Sequence, residues 1–204
     1  NADLDMGGQP WTPIGNNTKS IYSSADFKFS GVFDGQGHTV SNIKIDDTEN
    51  FNRGFFSYVE DAEVRDLILQ IDITNGKSYA GGVAAVAKDS VFENIYVKGS
   101  ISRSESSNLS SGYVGGIVGQ AKSSVVISEC VNEAEINKGV TASDEAYHNS
   151  NYVGGMAGSA EGAEISDCQN LGSVAGGYAV GGIVGQTSGT AAVISRCINL
   201  GDIC

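Results

Sequence analysis

The sequence has few of the residue patterns that mark nucleic-acid-binding, metal-binding or membrane-spanning proteins. Only 12 Lys and Arg stand against 24 Asp and Glu, and the resulting net charge of −12 repels phosphate backbones and anionic lipid. The two His and four Cys show no CxxC or other zinc-ligand spacing. No apolar run approaches the roughly 18 residues of a membrane-spanning helix. We therefore expect no nucleic-acid partner, no bound cofactor and no membrane span in this segment.

Proline is also scarce, since the chain has two prolines beside 28 glycines in 204 residues. A collagen-like chain is excluded because it would need glycine at every third position and abundant proline. Disorder is a poor description because 40% of the residues are apolar and recur in register. The length suits one glycine-rich domain with a substantial core.

A glycine-rich unit recurs along the chain. Its clearest copies, residues 113–120, 152–158 and 180–186, share the pattern Val-Gly-Gly-apolar-apolar-Gly. Weaker copies lie at residues 80–83 and 54–56. After each copy, an apolar residue precedes an Ile, Leu or Cys by three positions, whereas the spacing between copies varies. A constant block that alternates with a segment of variable length is typical of a solenoid.

The repeated units are predicted to be coils of short β-strands. Their apolar runs, such as residues 125–127, are short and β-branched, and no 3.6-residue stripe lasts the roughly 10–12 residues of a helix. Each strand should pair in parallel with its counterpart one coil away, about 4.8 Å along the axis, with right-handed connections. Equivalent side chains would then stack into three interior ladders. The ladders are Ile43, Leu67, Ile95, Cys130, Cys168 and Cys197; Val40, Val64, Phe92, Ile127, Ile165 and Ile194; and Ile73, Ile101, Ile136, Val174 and Ile203.

The predicted fold is an all-β, right-handed parallel β-helix of about six coils, forming a single β-solenoid domain over residues 1–204. Its N-terminal part, residues 1–46, contains the only Trp and several Phe, and we expect strands at 11–15 and 27–33, then a tight turn and strand over 34–40. This larger aromatic coil would act as a partial end-cap, and residues 47–204 would form the repeated coils. The pattern stops in mid-repeat at Cys204, so we expect the chain to be part of a longer protein.

The segment Phe33-Asp-Gly-Gln-Gly-His-Thr-Val-Ser-Asn-Ile43, together with Trp11-Thr-Pro-Ile-Gly15 and the repeated Gly-Ile-Val-Gly, resembles the GLUG-motif repeat proteins of bacteria. The family's Gly-Leu-apolar-Gly core is matched at residues 116–119, 155–158 and 182–185. The copies at 82–85 and 54–57 lack the last Gly. The resemblance implies a parallel β-helix in large secreted or surface-anchored proteins that are often adhesin-like, and it implies no catalytic residues.

Two polar segments of variable length contain the candidate binding residues. Residues 102–111 and 137–151 interrupt successive coils at the same place, and such insertions map to one face of a solenoid, often the binding face. Residues 46–52 are expected on the same side. Tyr beside Asn and carboxylates suits a sugar or a Ca²⁺ ion, and a disordered polar loop is the alternative. The candidate ligand-binding residues are Asp144, Glu145, Tyr147, His148, Asn149 and Asn151.

A polar row beside the first ladder raises a catalytic alternative. Glu129 and Asp167 would stack about 5 Å apart at the backbone, which is close to the carboxylate separation of a retaining glycosidase. A solvated row in which Arg196 offsets Asp167 is the simpler interpretation. The complete row is Asn42, Asp66, Asn94, Glu129, Asp167 and Arg196.

The stacked cysteines also leave two alternatives. Neighbours could form a Cys130–Cys168 or a Cys168–Cys197 disulfide, or all three could be free buried thiols that act as small hydrophobic side chains. Spacing alone does not choose between them.

These observations predict a non-catalytic adhesion or display module, extracellular or on the surface of a bacterium. It would bind a carbohydrate, or a host or bacterial surface protein, through the inserts. A polysaccharide lyase or glycoside hydrolase on the same scaffold is the alternative.

Overall fold

The computed structural model describes residues 2–15, 27–46, 52–76, 78–103, 112–137, 151–176, 178–189 and 191–204. Within these ranges the regular structure is entirely β-strand, so the all-β prediction is confirmed. No helix there is long and apolar enough to cross a membrane. The strands are β1 (Leu4–Asp5), β2 (Val32–Asp34), β3 (Thr39–Asp46), β4 (Asn52–Arg53), β5 (Phe56–Glu60), β6 (Glu63–Gly76), β7 (Tyr79–Gly81), β8 (Ala84–Lys88), β9 (Val91–Arg103), β10 (Gly112–Gly115), β11 (Val118–Lys122), β12 (Val126–Ser128), β13 (Val131–Asn132), β14 (Glu135–Ile136), β15 (Asn151–Gly154), β16 (Ala157–Glu161), β17 (Glu164–Ser166), β18 (Gln169–Asn170), β19 (Ala179–Gly181), β20 (Val184–Thr187), β21 (Val193–Ser195) and β22 (Ile198–Asn199).

These strands form three sheets, and their pairings are parallel. The long sheet has the order β1-β3-β6-β9-β12-β17-β21, with β2, β13, β14, β18 and β22 paired alongside. The first short sheet has the order β4-β7-β10-β15-β19, and the second has β5-β8-β11-β16-β20. The chain visits the long sheet, the first short sheet and the second short sheet in turn, and then repeats this circuit. Such a strand order is compatible with a parallel β-helix.

Side chains at equivalent positions of successive circuits lie in register, as the repeat predicts. Most members of the two aliphatic ladders below are fully buried, and those of the last circuit, Ile194 and Ile203, are 44% and 46% exposed. Removing this apolar surface from water, at roughly 25 cal/mol per Å², is the main stabilising contribution to the interior. The ladders are Val64, Phe92, Ile127, Ile165 and Ile194, and Ile45, Ile73, Ile101, Ile136, Val174 and Ile203.

The N-terminal alignment of these ladders was predicted wrongly. Val40 pairs with Leu69, and Ile43 pairs with Ile71, so neither residue lies on the predicted ladder. Phe33 instead occupies the position beside Val64. The reason is a tight turn over 35–38, closed by the His38 N–H donating to the Gly35 carbonyl at 2.9 Å. This turn and a bulge after Val40 lengthen the chain between paired residues.

Aromatic rings gather where the N-terminal segment meets the next circuit. Trp11 stacks on Phe55 with ring centroids 5.0 Å apart, and Phe29 lies 4.7 Å from Phe56. Phe33 meets the edges of both Phe55 and Phe56. The expected strands at 11–15 and 27–33 are only partly formed, since Ile14 and Phe29 make isolated bridges to Phe56 and Val59. The aromatic packing therefore orders this segment more than strand pairing does.

A buried asparagine ladder, formed by Asn132, Asn170 and Asn199, was missed by the sequence reasoning. The Asn132 side-chain amide donates to Asn170 Oδ1 at 2.7 Å, and the Asn170 amide donates to Asn199 Oδ1 at 2.6 Å. Each amide also donates to the backbone carbonyl two residues ahead. Each buried polar group thereby satisfies its neighbour. The signal was the recurring Cys-x-Asn, in which each Asn follows a ladder cysteine by two positions.

The asparagine ladder is one reason for the second glycine of three Gly-Gly pairs, at 115–116, 154–155 and 181–182. A Cβ added to Gly155 would lie 2.4 Å from Asn170 Cγ and 2.1 Å from the Gly182 carbonyl oxygen. Gly116 and Gly182 face their own ladder asparagines at similarly short range. These glycines are required because the asparagine side chains, and at Gly116 and Gly155 also a carbonyl oxygen of the next circuit, fill the space that a side chain would need. A positive φ is not the reason.

We predict that Asn170→Ala lowers the free energy of unfolding by about 2–4 kcal/mol, because it breaks three hydrogen bonds, leaves Asn199 Oδ1 without its donor and opens a cavity. Urea denaturation followed by circular dichroism would measure the loss. The matched control is Ser100→Ala, which removes a hydrogen bond to Asp72 near the surface and should cost less than about 0.5 kcal/mol. Equal losses in the two variants would contradict a stabilising role for the ladder.

Candidate functional site

Connections from the long sheet to the first short sheet all lie at one corner. Their departure points, Ile45, Ile73, Ile101, Ile136 and Val174, lie on one ladder. Their return points, Asn52, Tyr79, Tyr113, Tyr152 and Ala179, also pair in register. Two connections, at 102–111 and 137–151, are long, and the other three, including that at 46–52, are short. The anchors of these two inserts and of residues 46–52 therefore share one side of the fold, in agreement with the sequence analysis.

The predicted binding residues of the third insert fall mostly outside the part of the chain that the structure describes. This holds for Asp144, Glu145, Tyr147, His148 and Asn149. Asn151 is the first residue of β15, and its backbone pairs with Gly112 at the end of the preceding insert. The ligand-binding role of these residues, and calcium as their ligand, stay predictions.

A tyrosine stack, formed by Tyr79, Tyr113 and Tyr152, stands directly at the base of the inserts. The first two rings are parallel within 1° with centroids 5.4 Å apart, and the next pair is 5.2 Å apart. Tyr178 continues the stack but meets Tyr152 edge-on, and it is 64% exposed. The sequence analysis did not identify this feature, although a Tyr immediately precedes Val-Gly-Gly at 113 and 152.

Ring geometry limits what the tyrosine stack can contact. The faces of Tyr79 and Tyr113 are turned towards each other, so a sugar cannot lie flat between them. Offset aromatic pairs of this kind contribute about 0.5–1.5 kcal/mol each beyond their buried area. The stack is therefore a rigid element beside the residues at which the inserts rejoin the sheet. Tyr178 is the member of the stack whose exposed ring a ligand could reach.

The polar row beside the thiol positions is confirmed for its last five residues and corrected for its first. Asn42 is out of register with Asp66 and instead donates to Asp5 at 2.8 Å. The backbone at each of the others has φ between 51° and 55°, which is a left-handed conformation that Asn and Asp tolerate best. The row thus marks a repeated bend of the chain. Its confirmed members are Asp66, Asn94, Glu129, Asp167 and Arg196.

Two pairs of neighbours in this row are hydrogen-bonded, Asp66 with Asn94 and Asp167 with Arg196. The Asn94 amide donates to Asp66 at 2.6 Å. Arg196 donates from Nε and Nη2 to the two carboxylate oxygens of Asp167, at 2.6 and 2.7 Å. The hydrogen bond from Arg196 lowers the pKa of Asp167 below its ordinary value of 3.8. Asp167 is therefore an ionised, paired carboxylate, which is a poor general acid and is not free to attack a sugar.

A shallow groove of about 510 Å³ crosses the outer side of the last circuits. Its lining includes the carboxylates of Glu133, Glu135 and Asp202, together with Lys98. The Tyr96 hydroxyl donates to Glu133. The groove thus brings three carboxylates and one lysine to the same surface. We name it the carboxylate groove.

We predict that Arg196→Gln raises the pKa of Asp167 towards its ordinary value, because the largest cause of the lowering is the Arg196 hydrogen bond. The native pKa lies below that of the unfolded chain. The ion pair therefore stabilises the fold above the unfolded value and is lost as pH falls through the folded one. Side-chain carboxyl NMR titration would measure the shift. Asp5, whose lowered pKa depends on Asn42 and Gly7, should not move, and an unchanged Asp167 would contradict the assignment.

Comparison with known proteins gives a partial similarity. No protein-family model matches the chain, and no solved structure matches it significantly. Over 116 residues, 56% of the chain, the sequence is 29% identical to Halomucin from Haloquadratum walsbyi. That match spans about 1% of the length of Halomucin. The resemblance to GLUG-motif proteins accordingly stays a prediction.

Proposed function

We propose that the chain is a right-handed parallel β-helix of about six coils, and that it serves as a non-catalytic adhesion or display module of a secreted or cell-surface protein. Its ligand is a carbohydrate or a surface protein of a host or another cell, bound by the inserts. The observation that carries this proposal is the pair of long inserts, 102–111 and 137–151, anchored on adjacent rungs of one corner.

The support from the fold is the contrast between the corner and the rest of the circuit. The three sheets keep a constant register from circuit to circuit, whereas the corner connections change in length. Rigid scaffolds that carry variable loops on one side are a common arrangement for recognition. The tyrosine stack stabilises the strands to which the inserts connect, so the inserts can differ in length without disturbing the core.

The net charge of the chain limits the classes of ligand that it is expected to bind. A net charge of −12 disfavours polyanionic glycans and nucleic acid. The third insert offers Asn amides, carboxylates, a Tyr and a His, which together suit the hydroxyl groups of a neutral sugar. A neutral or cationic glycan is therefore the favoured ligand, with calcium as a bridging ion.

The similarity to Halomucin bears on location. Its partial match supports a place outside the cell for this chain, because Halomucin is a surface-type protein. The match also links the chain to a protein of a halophilic archaeon, whereas the GLUG resemblance implies a bacterium. An extracellular role is common to both, and it is the part of the proposal that they support together.

We predict that replacing residues 138–150 by a connection as short as the one after Val174 abolishes glycan binding without unfolding the protein. The reason is that the deleted residues carry the predicted contacts, while the flanking rungs stay paired. A glycan array probed with the intact chain would identify the ligand, and calorimetry with that glycan would compare the two proteins.

Two matched variants make this test specific. A variant with a shortened second insert, residues 104–110, tests whether both inserts contribute to glycan binding. Glu164→Gln, on the exposed side of the long sheet, should leave binding unchanged. If the shortened third insert binds every array glycan as well as the intact chain does, the proposed site is wrong.

The carboxylate groove favours a second candidate function, a polysaccharide lyase or glycoside hydrolase. Lys98 could bind an acidic sugar or stabilise its developing charge, and Glu133 or Glu135 could transfer the proton. We predict for this candidate that Glu135→Gln lowers reducing-sugar release at least about 100-fold, which is the low end of a general acid–base contribution. Absence of release or of unsaturated products from a panel of neutral and acidic polysaccharides would eliminate it.

A further inference from the structure

Three cysteines occupy one ladder, which we call the thiol ladder: Cys130, Cys168 and Cys197. They are flanked on one side by the paired serines 128, 166 and 195 and on the other by the paired residues 131, 169 and 198. The cysteines therefore lie at equivalent positions on three successive circuits. Cys130 and Cys168 are fully buried, and Cys197 is partly exposed.

The spacing of the thiol ladder suits a disulfide between neighbours. Adjacent strands lie about 4.8 Å apart, and disulfides join Cα atoms that are roughly 4.4–6.8 Å apart. The Cys168 side chain is within hydrogen-bonding reach of both Cys130 and Cys197. The two outer cysteines are separated by two strand spacings, about 9.6 Å, which no disulfide spans. Cys168 can therefore join either neighbour, and only one at a time.

We propose that the thiol ladder is a site of oxidative modification, in which Cys168 and Cys197 form a disulfide that clamps two successive circuits while Cys130 remains a thiol. All three thiols are free in this structure, and each donates to the carbonyl of the serine two residues before it, at 3.1–3.2 Å. The inference does not depend on the ligand of the inserts or on catalysis in the groove.

Solvent access and the acidity of the thiols favour Cys168 and Cys197 as the pair that forms the disulfide. Cys197 is the member of the ladder that solvent reaches, although partial burial raises the pKa of its thiol. Burial raises the pKa of the Cys130 thiol well above its ordinary value, which keeps it protonated and unreactive. The hydrogen bond with Cys130 lowers the pKa of Cys168, which makes Cys168 the better attacking thiolate of the two buried residues.

The chemistry is thiol–disulfide exchange with a small disulfide, such as oxidised glutathione. The Cys197 thiolate attacks one glutathione sulfur, forms a mixed disulfide and releases one glutathione thiol. The Cys168 thiolate then attacks the Cys197 sulfur and releases the second glutathione. Two protein thiols lose two electrons, one glutathione disulfide gains them, and the two thiol protons pass to the two released glutathiones. The product carries no charge, so it fits the apolar interior.

The test uses the whole chain with Cys204→Ser, because Cys204 is exposed and would otherwise react first. The folded, reduced protein is incubated with oxidised glutathione, quenched with an alkylating reagent and digested without reductant for mass spectrometry. We expect a peptide pair joined through Cys168 and Cys197 in the majority of molecules, with Cys130 alkylated only after denaturation. A dithiol reductant should reverse the link.

Two further variants in the same background distinguish a specific Cys168–Cys197 disulfide from non-specific oxidation of the thiols. Cys130→Ala should keep the Cys168–Cys197 link, whereas Cys168→Ala should leave only a glutathione adduct on Cys197. Circular dichroism before oxidation establishes whether each variant is folded. If either variant is unfolded, the Cys204→Ser protein by itself tests the proposal. The proposal is overturned if that folded protein forms no link, or if its link joins Cys130 to Cys168.

Discussion

The structure depends on one constraint, the in-register hydrogen bonding of each circuit to the circuit before it. Because parallel strands are held about 4.8 Å apart, every side chain must fit the residue at the same position one circuit earlier and one circuit later. Aliphatic residues meet this condition by packing, as in the ladder through Ile101 and Ile136. Asparagine meets it by hydrogen bonding, since its amide is both donor and acceptor. The residue type that one position tolerates therefore depends on the residue types at the other positions of the same ladder.

That constraint couples positions that lie far apart in sequence. Val97 and Asn132 occupy the same ladder, and a glycine faces each of them, Gly82 at Val97 and Gly116 at Asn132. The glycine is needed because Asn170, for example, extends to where the side chain at 155 would lie. A substitution at either position changes the space available to the other. We expect such pairs to be non-additive in stability.

The stacking of successive circuits also determines which partner each polar or reactive side chain meets. Asp167 on one circuit meets Arg196 on the next, and the result is an ion pair rather than a free carboxylate. Cys168 meets a thiol on either side, and the result is a set of two mutually exclusive partners. The corner connections vary in length while the rungs before and after them stay paired. The proposed recognition by the inserts relies on this freedom, and the tyrosine stack lies where the two long inserts rejoin the sheet.

The sequence by itself determined the repeated unit, the all-β class and most of the ladder register, because a period that matches hydrophobic positions one circuit apart is visible without coordinates. It also determined which segments are inserts. Only the tertiary structure decided the N-terminal register, where the turn at Gly35 and the bulge after Val40 change the number of residues between rungs. It likewise decided the asparagine ladder, whereas the pairing of Asp167 with Arg196 was already the simpler interpretation of the sequence. Those features depend on which side chains face each other across circuits, and a linear pattern specifies spacing but not the direction or contacts of a side chain.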